Sequence, residues 1–229
     1  IRCLKDQKPL PAAFTMALVL FFKPYFLFLS LPFLVFKQWK VILYVIGFTG
    51  LFMLIQLFIF GATDFGDLHS QWFSAMMDHS EGMPADHSIP AIIENYTGLQ
   101  IGSVAGFGII AAIACFYLAV RLFIVKLESF SDFAFDVFLL LAMIPNLVTT
   151  DVQHFLYSLP LIFYCLLRLS KNGKLWQMIV FGGLCLLYAS NSTDILGKEL
   201  ILKMNSYSAI GLANLAIILF SLVLMRQKT

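Results

Sequence analysis

Apolar positions run through this chain in long stretches, and polar positions gather between them. A helix needs about 20 apolar residues to cross a bilayer. Runs of that kind fall at 41–60, 99–120, 133–149, 155–169, 174–190 and 207–225. The run at 155–169 is short and spans only with its ends in the interfaces. A further run, 10–36, is too long for one span, and Lys23-Pro24 interrupts it. Proline removes a helix hydrogen bond and biases the residue before it away from helix. The pattern therefore predicts two short helices, 10–22 and 25–36, meeting at Lys23-Pro24. The expected fold is all-α: about six full transmembrane helices plus an N-terminal hairpin of two shorter helices. The alternative for 10–36 is one long tilted helix with Lys23 in mid-membrane.

Orientation follows from the basic residues, which favour the cytoplasmic side. Lys37 and Lys40, Arg121 and Lys126, Arg168, Lys171 and Lys174, and Arg226 and Lys228 alternate as cytoplasmic loops should. Arg2, Lys5 and Lys8 place the N-terminal flank on the same side, so the tip at Lys23-Pro24 points outward. The loop 61–98 carries six acidic residues and no Lys or Arg, and is expected outside with 148–154 and 191–206. Within it, Leu68, Trp72, Phe73 and Met76 recur at helical spacing. That predicts a short amphipathic helix over 67–80 with Trp72 at headgroup depth.

Composition sharpens the class. Of 229 residues, 60% are hydrophobic and only 12% charged, against about 25% charged in soluble domains. This pattern predicts one transmembrane domain over 1–229, multi-pass, with the external loop 61–98. A net charge of +2, dispersed over loop ends, gives nucleic acid no patch to bind. The four cysteines have neither metal nor redox spacing and read as small buried hydrophobes. No internal repeat of the kind found in many transporters is visible. The chain opens on Ile1 in a segment resembling a cytoplasmic loop, so an upstream portion is expected to precede it. A bacterial cytoplasmic membrane is the expected location.

Candidate chemistry centres on 144–160, IPNLVTTDVQHFLYSLP, a polar insert between apolar runs. Ionisable groups at a membrane boundary are costly, and mark functional sites. Asp151 and His154, three apart, share a helix face near a terminus that favours negative charge. The same residues could simply cap a helix, with Thr150 or Asp151 as N-cap. The second candidate is Phe22-Lys23-Pro24-Tyr25, whose ammonium suits a phosphate at the headgroup level. A snorkelling lysine that only fixes depth is the plain alternative. Asp78-His79, Asp86-His87 and His69 could hold a divalent cation but read better as a solvated acidic loop. Asp132 and Asp136 read as N-terminal helix charges. The sequons Asn95-Tyr96-Thr97 and Asn191-Ser192-Thr193 serve only as topology reporters.

Two segments together resemble a known family. FFKPYFLFLSLPFLVFKQWK resembles the lysine-proline segment of glycosyltransferase family 87, polytopic transferases of the type C fold. PNLVTTDVQHFLYSLPLI resembles that family's late motif, in which histidine near a helix start precedes a leucine-rich turn and a proline. His154 and Pro160 match by spacing and Asp151 less closely, while Pro145-Asn146-Leu147-Val148-Thr149 replaces the usual serine-proline-x-serine-tryptophan lead-in. The resemblance covers most of this chain but only the later part of a full-length member. It implies transfer of a hexose from a polyprenyl-phosphate donor to a hydroxyl of a glycan or lipid acceptor outside, with inversion. It assigns Lys23 and Tyr25 to the donor phosphate, and His154 and Asp151 to catalysis. Trp72 and Gln153 would line the external cavity. It implies no metal and no cofactor, with the membrane lipid and the lipid-linked sugar as partners. The family's aspartate base lies upstream of the matching part, so this chain alone is expected to be inactive.

Two other classes stay open. A transporter or flippase of a lipid-linked or anionic substrate would place Lys23 deep, paired with Asp136 or Asp151. A non-catalytic scaffold would use these residues only as caps.

Overall fold

The computed structural model describes residues 8–81, 87–124, 130–148, 152–189 and 196–226, with side chains at 76–81, 103–104, 124, 130 and 226 left undescribed. Among the described residues there is helix and no strand, so the all-α expectation holds. The chain divides into two compact units, Ile1–Gly82 with Ala114–Val137, and Met83–Ile113 with Phe138–Thr229.

In the first unit, α1 (Pro9–Phe22) opens with proline at a position where its missing N–H costs nothing. Ala13 and Ala17 are fully buried one turn apart, and their small side chains let α1 lie close along α3 (Trp39–Glu81). Phe14 meets Phe48 and Phe52 edge-on, and Phe21 meets Phe52 the same way. α1 ends at Lys23, as the sequence predicts, and a 3-10 turn (Pro24–Ser30) leads into the short α2 (Leu31–Val35). The exit from α2 is a left-handed cap: Lys37 has φ 54°, its N–H donates to Leu34 O, and Gln38 N–H donates to Phe33 O. Phe33, with Ala13, Val41 and Phe133, forms this unit's core.

The region 39–81 is helical on both sides of Gly61, which sits at φ 77° and ψ 167°. Only glycine visits that backbone region freely. The break ends the apolar helix where the predicted span 41–60 ends, and the helix after it covers the amphipathic stretch predicted at 67–80.

In the second unit, Ser88 caps α4 (Ile89–Thr97), accepting from Ala91 N–H at 3.4 Å, and Gly98 at φ 72° closes it. α5 (Ser103–Ala119) begins in this unit and continues into the first, where it passes into a π turn (Val120–Ile124); α6 (Phe130–Leu147) begins in the first unit and ends in the second. A 3-10 turn (Val152–Ser158) precedes α7 (Leu159–Asn172), followed by α8 (Leu175–Tyr188), α9 (Lys198–Ser206) and α10 (Ala209–Arg226). α7, α8 and α10 share a core of Ile162, Cys165, Leu169, Phe181, Ile217 and Leu224, with Phe220 stacked on Phe181 at 5.3 Å.

Three helices among the described residues are long and apolar enough to cross a membrane: Trp39–Ala75, Ala105–Phe123 and Val152–Asn172. A fourth arises if Lys198–Ser206 and Ala209–Met225, bent by 62°, count as one span. This is fewer than the six expected, and for the run at 174–190 the physical reason is helix length. Apolar composition continues across turns that the backbone does not. The run at 174–190 becomes α8, only 14 residues, about 21 Å at 1.5 Å per residue against a core of about 30 Å. The run at 133–149 becomes α6, an 18-residue helix that is not among those three. The Trp39–Ala75 helix buries none of its apolar window and presents Phe58 and Ile59 outward, a surface suited to lipid rather than water.

Candidate functional site

The sequence candidates separate by unit. Lys23, Tyr25 and Trp72 belong to the first, Gln153 and His154 to the second, and Asp151 lies outside the described residues.

In the first unit Pro24 forces Lys23 into an extended conformation, φ −139° and ψ 85°. Its N–H still donates to Val19 O at 2.8 Å, so the break comes at the last turn of α1. The ammonium Nζ lies 5.9 Å from the centre of the Tyr25 ring, and Tyr25 stacks on buried Phe26 at 5.1 Å. An aromatic face thus holds a half-buried cation near a helix end. Leu20 and Leu27, flanking this break in sequence, line an apolar groove of about 250 Å³ with Met16, Phe33, Val41 and Ile46. Trp72 is exposed on the helix beyond Gly61. His69 is engaged within that same helix, its Nδ1 2.8 Å from Phe65 O.

In the second unit His154 stands in the 3-10 turn that leads into Leu159-Pro160. It is half-buried, its Nδ1 is shielded from solvent, and its ring meets Tyr157 edge-on at 5.4 Å. Gln153 is exposed. The turn is held from beneath: Phe155 is buried between His87 at 5.9 Å and Tyr188 at 6.3 Å, and the Tyr188 hydroxyl donates to Phe155 O. Ser158 Oγ donates to Ala142 O at 3.4 Å.

Sequence reasoning missed two polar clusters. The first joins Tyr117, Arg121 and Asp136 within the first unit. Tyr117 Oη donates to Asp136 Oδ2 at 2.7 Å, and an Arg121 Nη2 bond closes on Asp136 Oδ1. The side chains are 9% exposed for Arg121 and 0% for Asp136. Arg121 sits on the π turn and also faces the Phe135 ring. Asp136 is therefore more than an N-terminal helix charge, and Arg121 more than a loop cation. The available signal was Tyr117 and Arg121 four apart at the end of an apolar run.

The second cluster lies in the second unit and contains only neutral amides. Asn214 Nδ2 donates to Asn146 Oδ1 at 2.6 Å and to Ala142 O at 2.7 Å. Asn146 Nδ2 donates to Gly211 O at 3.1 Å and to His87 O at 3.2 Å. His87 is 1% exposed, and its backbone approaches Gly211 so closely that a Cβ there would stand 2.3 Å from His87 O. His87 is thus a packed residue rather than part of a solvated loop. Side chains of Asp78 and His79, and all of Asp86, lie outside the description. The sequon residue Asn95 donates to Ser208 Oγ at 2.9 Å, while Asn191-Ser192-Thr193 lies outside the description. No family model matches this chain, and neither does any curated protein or solved structure.

Proposed function

We propose that this chain is part of a membrane-embedded, inverting glycosyltransferase that draws on a polyprenyl-phosphate sugar, set in a bacterial cytoplasmic membrane. The acceptor hydroxyl attacks the anomeric carbon, the bond from that carbon to the phosphate oxygen breaks, and polyprenyl phosphate leaves. The hydroxyl proton passes to a base that the resemblance places upstream of this chain. Lys23 meets the developing charge on the leaving phosphate. His154 donates to phosphate or sugar hydroxyls, and Asp151 orients it or holds a hydroxyl.

The observation that carries this reading is the Lys23-Pro24 break. An amine is set out of helix by its proline neighbour, backed by Tyr25, with an apolar groove lined by residues on either side of it. A phosphate on a long hydrocarbon tail matches both parts. The likeness of both segments to the family supports the same chemistry.

The test is transfer from radiolabelled polyprenyl-phosphate sugar by the full-length protein in membranes. Lys23→Ala and His154→Ala should each lower turnover by about 10²-fold with expression intact. Wild-type turnover in His154→Ala sinks the assignment. The reading also requires both residues to reach one donor molecule. A donor analogue carrying a photoreactive group beside its phosphate should label peptides containing each of them.

Transport is the second reading, and the buried Arg121–Asp136 pair favours it, since charges within apolar helices mark substrate and ion pathways. A cysteine at position 23 separates the two. Labelling from the cytoplasmic side in any state supports transport, and labelling only from outside supports transfer.

A further inference from the structure

Between Asp151 and Asp194 the sequence contains no Asp or Glu, yet Arg168, Lys171 and Lys174 cluster there at the turn joining α7 to α8. None of the three makes an ion pair among the described residues. Arg168 is half-buried, and the partner of its Nη2 is a thioether, Met225 Sδ at 3.6 Å, which also accepts from Tyr164 Oη at 2.9 Å. Its Nε is shielded from solvent and has no hydrogen-bond partner among the described residues. Sulfur is a weak acceptor, so a guanidinium with several strong donors is held in place without an anion from the described residues.

The turn itself is fixed. Gly173 N–H donates to Leu169 O at 2.8 Å, and a Cβ at 173 would stand 2.5 Å from that oxygen. Lys174 N–H donates to Gln177 Oε1, and Gln177 N–H returns to Lys174 O, each at 2.9 Å, with Gln177 buried. Lys171 and Lys174 are exposed on this rigid turn. On either side the exposed surface becomes apolar: Phe163, Leu166 and Leu167 on α7, Leu175 and Trp176 on α8. An indole next to a cation cluster marks the depth of the headgroups.

We propose that the α7–α8 turn binds the phosphate of an anionic phospholipid headgroup through Arg168, Lys171 and Lys174, with the lipid tails against the apolar residues beside it. Basic pockets at helix ends on the cytoplasmic side recognise such headgroups by charge. The site belongs to the second unit alone and is independent of sugar transfer. The arginine fixes the phosphate through directed N–H bonds, and the lysines add charge without direction.

The experiment uses the full-length protein in a zwitterionic detergent, titrated with phosphatidylglycerol or with phosphatidylcholine of the same chains, with Tm as the readout. Phosphatidylglycerol should raise Tm in a saturable way, and phosphatidylcholine should not. Lys171→Gln with Lys174→Gln should weaken the apparent affinity about tenfold, and Arg168→Gln should abolish the response. Equal shifts with both lipids overturn the proposal. So does a double-lysine variant that keeps the wild-type response, or inorganic phosphate alone reproducing the shift. If Arg168→Gln does not fold, the double-lysine variant, altered only at exposed positions, decides.

Discussion

Two buried polar clusters, one in each unit, answer the same problem with different chemistry. Tyr117, Arg121 and Asp136 use full charges, while Asn146 and Asn214 use amides that close on backbone oxygens. An amide's N–H groups find acceptors wherever carbonyls are near, and its desolvation costs less than a charge's. A buried charge needs its counter-charge in place, and losing one partner strands the other. The ionic cluster therefore ties its stability to both partners being present. The amide cluster suits a place where the packing of helices must be unique.

The sharpest way to break this comparison is Asp136→Leu, which leaves Arg121 without its anion. Unfolding in detergent should show a loss of about 3–5 kcal/mol, and Arg121→Met with Asp136→Leu should recover most of it. A double variant no more stable than Asp136→Leu would remove the pair's claim to mutual dependence.

Gly211→Ala comes next, because the new methyl must push His87 O away from 2.3 Å. About 1–3 kcal/mol should be lost, together with faster amide hydrogen exchange at 89–97 in α4. Asn214→Leu should cost a similar or smaller amount, about 1–3 kcal/mol, by leaving Asn146 Oδ1 and Ala142 O without this donor. If Asn214→Leu costs as much as Asp136→Leu, charge is not what distinguishes the two clusters. The smallest effect is expected at Lys37→Gly, which relieves a left-handed backbone at φ 54° and should change stability by less than about 1 kcal/mol.

How much of this was legible in the sequence depends on the range of the force involved. The break at Lys23-Pro24 was readable because proline acts on its own neighbour. The amphipathic helix after Gly61 was readable from periodicity, although the glycine's part in ending the first helix was not. More spans were expected than the described residues show, because hydropathy does not sense where a backbone turns. The run at 174–190 becomes α8, a helix of only 14 residues. The Asn146–Asn214 pair joins residues 68 apart, and no local pattern announces such a partner. The resemblance named His154 and Lys23, and the turn and break that present them are now described. Asp151 lies outside that description.

Gly61 has one more consequence, which concerns inheritance rather than stability. Nothing stands within 4 Å of where its Cβ would be, so crowding does not forbid a larger residue there; handedness does. Every single-base change in a glycine codon that still encodes a different amino acid brings in an L-configured side chain. The gene therefore has no neighbouring spelling that keeps this bend at ease, whereas a chemist inserting D-alanine would find the backbone already shaped to receive it.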